Sequence, residues 1–66
     1  MNVILYTTHC PKCKVLEAKL QQKNITFQTV EDEQVMIDKG FLTAPMLEVD
    51  DQTYDFSGAV NWIKNN

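Results

Sequence analysis

The chain predicts a single α/β domain with the element order β-α-β-α-β-β-α, a four-stranded mixed sheet carrying helices on both faces. Three observations carry this. Val3-Ile4-Leu5-Tyr6 is a short apolar run followed by turn-prone residues, which suits a strand buried on both faces. Apolar residues at helical spacing follow it directly, opening a strand–helix–strand unit. Further on, two short strand-like runs meet at Asp50-Asp51, as in an antiparallel hairpin. At 66 residues the chain makes one domain, residues 1–66, with a thin core.

The elements follow in order. Val3 to Tyr6 is the first strand, and Thr7-Thr8-His9 is a loop. Pro11 suits the first turn of a helix that runs to about Gln22, with Cys13, Leu16 and Leu20 on its inward face. Lys23-Asn24 ends it, because asparagine tolerates the left-handed conformation. Ile25 to Val30 is rich in β-branched and aromatic residues and reads as the second strand, parallel to the first through a right-handed crossover. Glu31-Asp32-Glu33 is a solvated turn into a short helix bearing Val35, Met36 and Lys39, and Gly40 stops it. Met46 to Val49 and Gln52 to Tyr54 or Asp55 are the hairpin strands. Ser57 is the expected N-cap of a last helix ending near Lys64, with Ala59, Val60, Trp62 and Ile63 on its apolar side.

Composition narrows the function. A 44% apolar fraction excludes a disordered chain, and a net charge of −3 disfavours non-specific nucleic-acid binding. No basic leader or long apolar stretch is present, so neither a signal peptide nor a membrane partner is expected, and the expected compartment is the cytoplasm. The expected state is a monomer. The chain holds 2 cysteines, Cys10 and Cys13. A bridge between them closes too short a loop to stabilise the fold much, so the pair points to chemistry. In a reducing compartment a C-x-x-C is catalytic or metal-binding more often than structural.

Cys10-Pro11-Lys12-Cys13 falls where a strand turns into a helix. The unpaired N–H groups of the first helical turn then face the sulfur of Cys10, and the helix dipole favours negative charge there. Such settings bring cysteine pKa values from about 8.5 down to roughly 3.5–7.5. Cys10 is the expected exposed nucleophile, and Cys13, on the inward face, is placed to resolve a mixed disulfide. Lys12 either tunes the thiol or is a solvated helix lysine. His9 is a cation or hydrogen-bond donor beside Cys10, or else a solvent-facing loop residue. Pro45, in Thr43-Ala44-Pro45, reads on its own as a strand-entry proline. Ser57 and Gly58 offer N–H groups that would hold a carboxylate or simply cap the helix.

Taken together, the Tyr-Thr strand end, Cys10-Pro11-Lys12-Cys13, Thr43-Ala44-Pro45 and Phe56-Ser57-Gly58 resemble the glutaredoxin-like redoxins over nearly the whole chain. The resemblance implies a minimal thioredoxin-like fold. It also implies a cis Pro45 beside Cys10 and a backbone at Thr43 and Ala44 that pairs with the substrate. The implied activity is thiol–disulfide exchange on protein disulfides, with no tightly bound cofactor. Two branches differ in their electron source. Glutathione-dependent members usually carry a lysine where this chain has Thr7, and a Gly-Gly pair and an acid where it has Tyr54-Asp55-Phe56-Ser57-Gly58. The glutaredoxin-like electron donors to ribonucleotide reductase are similar at Gly40-Phe41 and at the aromatic-Ser-Gly run. That similarity implies reduction by thioredoxin reductase and NADPH. Two other classes stand beside this one. In a metal-binding module, His9, Cys10 and Cys13 would hold zinc, or two chains would share an iron–sulfur cluster. The third class is a redox-inert binding domain.

Overall fold

The computed structural model describes residues 2–66; Met1, the first residue of the expected domain, lies outside them. The elements are β1 (Val3–Tyr6), α1 (Pro11–Gln22), β2 (Gln28–Val30), α2 (Glu33–Asp38), β3 (Met46–Val49), β4 (Gln52–Tyr54) and α3 (Phe56–Lys64). This is the predicted order. The strands form one sheet, β2-β1-β3-β4. In it β1 is parallel to β2, with Leu5 opposite Thr29, and antiparallel to β3, with Leu5 opposite Leu47. β3 and β4 form the antiparallel hairpin, with Glu48 opposite Thr53.

Strand periodicity assigns the two faces. Val3, Leu5, Leu47 and Val49 point to one side and pack with Leu16 and Leu20 of α1 and Ala59 and Ile63 of α3. The other side presents Tyr6 and Glu48. The Tyr6 hydroxyl donates to Glu48 Oε1 at 3.3 Å, and Lys39, the C-cap of α2, donates to the same oxygen at 3.1 Å. Lys39 Nζ also lies 5.6 Å from the Tyr6 ring centroid. The Phe41 ring meets Tyr6 edge-on, with centroids 5.0 Å apart and planes at 68°. The bond to Glu48, and then Tyr6, hold the Lys39 ammonium above its ordinary range. These contacts tie the end of α2 and the loop after it to this face.

Three boundaries differ from expectation. β2 covers Gln28–Val30, and 25–27 is not strand. Asn24 adopts φ 57, and the Ile25 N–H returns to the Leu20 carbonyl at 3.0 Å, finishing α1. Ile25 and Phe27 pack on the core from outside the sheet, so their strand-like character reflects burial without a ladder. Lys39 caps α2 from just outside it, while Gly40 at φ 79 makes the stop as expected. The N-cap of α3 is Asp55, whose carboxylate accepts from the Gly58 N–H at 2.8 Å; Ser57 sits inside the first turn. Among the described residues no helix is long and apolar enough to cross a membrane.

Candidate active site

The site begins where β1 runs out. The Thr7 N–H donates to the Val30 carbonyl at 3.0 Å, extending the parallel pairing by one residue, and the Thr7 side chain is fully buried. Its Oγ1 accepts from the His9 N–H at 3.0 Å. His9 turns the chain through φ 62 and delivers Cys10 as the N-cap of α1. Pro11 then occupies the first helical position, where its missing N–H costs nothing. The Cys13 N–H points at Cys10 Sγ, 3.3 Å away, as the sequence predicts for a sulfur at a helix start.

Both cysteines are free thiols, and the sulfurs are 2.7 Å apart. Cys10 is half-buried, whereas Cys13 is wholly buried on the inward face with Leu16 and Leu20. A disulfide places its sulfurs about 2.05 Å apart. Closing the gap therefore needs only side-chain rotation. Burial pushes the Cys13 thiol up. Hydrogen bonds from Cys10, from the Thr7 hydroxyl and from the backbone of Thr8 and Cys10 outweigh it and lower the thiol from 9.0 to about 7. The thiol lowered in this way is the buried one, on the inward face of α1.

The Ala44-Pro45 bond is cis, as the resemblance implies. Tyr6 lies opposite Met46 at the end of that ladder, and just beyond it Thr8 and Ala44 line one groove. Pro45 is buried, Ala44 half-buried and Thr43 exposed. The segment therefore borders the loop that carries the dithiol.

The remaining predicted residues sort differently. Lys12 Nζ lies 5.4 Å from the Phe56 ring centroid, so this cation is engaged by an aromatic face and joins the starts of α1 and α3. His9 Nε2 pairs with Glu31 Oε1 at 2.8 Å, drawing the imidazole toward the β2–α2 turn. Among the described residues no three His, Cys, Asp or Glu side chains converge to hold a metal ion, and the His9-Cys10-Cys13 triad does not assemble. Ser57 and Gly58 lie at the same end as the dithiol through the Lys12–Phe56 contact, but the Gly58 N–H is taken by Asp55. A carboxylate therefore already occupies this helix start, and it belongs to the chain.

Three residues gain roles that sequence reasoning did not assign. Thr7 had a signal, a hydroxyl directly after an apolar run and so expected in the interior. Asp55 had one too, as an Asx residue three positions before a helical N–H. Glu31 had none, because its partner comes from another loop. Compared with family models, curated proteins and solved structures, the chain finds no match. What the fold and site define is an α/β domain with a reduced dithiol at a strand–helix junction, whose preceding loop shares a groove with the cis-proline segment.

Proposed function

We propose that this chain is a thiol–disulfide oxidoreductase, a glutaredoxin-like dithiol electron carrier that reduces protein disulfides in the cytoplasm. The observation that carries the reading is the asymmetry of the pair: a half-exposed Cys10 at the helix start and a buried Cys13 with its sulfur 2.7 Å away. The Cys10 thiolate attacks one sulfur of a target disulfide, the S–S bond breaks, and the target's other sulfur leaves as a thiol. Cys13 then attacks Cys10 Sγ, the second target thiol leaves, and a Cys10–Cys13 disulfide remains. Two electrons and two protons pass to the target. An external reductant restores the dithiol.

Glutathione and thioredoxin reductase with NADPH are the two sources considered. The surroundings weigh for the reductase. Glutathione carries two carboxylates, whereas Asp55 already occupies the start of α3 and Glu31, Asp32 and Glu33 line the neighbouring turn. The acceptor class is a disulfide-bearing protein, with ribonucleotide reductase the one the resemblance suggests.

The deciding experiment measures NADPH consumption with insulin as acceptor. One arm is supplied by thioredoxin reductase and the other by glutathione with glutathione reductase. Turnover in the first arm, lost in Cys10→Ser, is expected. Turnover in the second arm alone makes the chain a glutathione-dependent redoxin. No turnover in either arm, or full activity of Cys10→Ser, overturns the reading.

A further inference from the structure

A groove of 210 Å³ lies between α2 and the loop leading to Pro45. It is smaller than the roughly 300–1,000 Å³ of pockets that take whole small molecules, and suits a single side chain. Met36 and Phe41 line it, and Phe41 is held by its edge-on contact with Tyr6, so the groove is preformed. Its rim carries Ile37 and Leu42, which are 64% and 97% exposed. Only one other large apolar residue is conspicuously exposed among the described residues, Val15 on α1. Isolated exposed apolar side chains are ordinary; two on one preformed groove are not.

The groove reaches the loop that leads into the dithiol. Thr8 and Ala44 line its end, and the backbone of Thr8 contacts the Cys13 sulfur. Its charge is one-sided. Glu33 lines it, and Asp32 and Glu31 precede Glu33 in the same turn. The nearest lysine along the chain, Lys39, is turned onto Glu48 on the sheet face, and His9 pairs with Glu31.

We infer that this groove selects the protein substrate: it takes an apolar side chain next to the target cysteine, with a cation beside it facing Glu33. The inference rests on the proposed redox function and adds the substrate's local chemistry to it.

The test mixes pre-reduced protein with peptides of equal length carrying one disulfide whose cysteine is flanked by Leu-Lys, Leu-Glu, Ser-Lys or Ser-Glu. A small flank-free disulfide, bis(2-hydroxyethyl) disulfide, is run in parallel. Second-order rate constants for oxidation of the Cys10–Cys13 pair are read by acid quench and mass spectrometry. The Leu-Lys peptide is expected to react about tenfold or more faster than Ser-Glu, as burial of one apolar side chain and one favourable charge pair imply. Glu33→Lys is expected to invert the Lys-over-Glu ratio, and Leu42→Ser with Ile37→Ser to collapse the Leu-over-Ser ratio. Each ratio is internal to its variant. If the flank-free disulfide reacts and the Leu-Lys peptide is no faster than Leu-Glu or Ser-Lys, the inference is overturned and the redox function stands. If no disulfide oxidises the pair, the redox function fails and the inference falls with it.

Discussion

The Thr7 hydroxyl oxygen accepts the His9 backbone N–H at 3.0 Å, and through that bond a buried strand end holds the left-handed turn that presents Cys10. The same hydroxyl helps to lower the Cys13 thiol. One side chain thus bears on both the turn that presents Cys10 and the acidity of Cys13.

Thr7→Val keeps the shape and removes the hydroxyl. The Cys13 thiol is expected to rise from about 7, because burial then meets less opposition. Stability should fall by about 0.5–1.5 kcal/mol from the lost hydrogen bond to the His9 N–H. A pH titration of thiolate ultraviolet absorbance, with a urea unfolding curve, checks both.

Cys13→Ser is expected to stall the reaction at the Cys10 mixed disulfide. Intact-mass analysis after mixing with a peptide disulfide should show one covalent adduct per chain. Cys10→Ser should give none, because the remaining sulfur is buried.

The stability of the reduced form should depend on pH. Folding depresses the Cys13 pKa from 9.0 to about 7, so the unfolded chain holds this proton more tightly. The contribution is complete above about pH 9 and is lost as pH falls through about 7. The disulfide form has no such thiol. The reduced-minus-oxidised difference in denaturation midpoint should therefore grow between those limits, and a flat difference contradicts the assignment.

Asp55→Ala should cost about 0.5–2 kcal/mol through loss of the α3 cap, while Ser57→Ala should be nearly neutral. Chemical denaturation of the two variants separates the carboxylate cap from the hydroxyl inside the turn.

Leu20→Ala should cost about 2–5 kcal/mol. At about 0.05–0.15 kcal/mol per residue, a chain of 66 residues has roughly 3–10 kcal/mol in total. Far-ultraviolet circular dichroism should therefore show a large unfolded fraction or a sharply lowered melting temperature.

Legibility followed the range of the interaction concerned. β1, α1 and β3 were readable to the residue because burial periodicity and Pro11 act locally. The β2 start was not, since Ile25 and Phe27 serve the core without joining a ladder, and composition does not separate those two uses. Asp55 and Ser57 are equally good caps by type, and the choice fell to the residue whose carboxylate reaches Gly58. At the site, the cysteine pair and the helix start were legible from spacing. The partners His9–Glu31, Lys12–Phe56 and Lys39–Glu48 were not, because each joins separate elements brought together only by the fold.

The outermost strands, β2 and β4, are only 3 residues each, and most of their side chains are exposed and polar. An unpaired strand rim is where chains recruit one another into extended sheets. Here each rim offers only a few rungs to an incoming strand, while the apolar β1 lies shielded between two neighbours. Short polar rims of this kind give an incoming strand little to pair with, which disfavours edge-to-edge association.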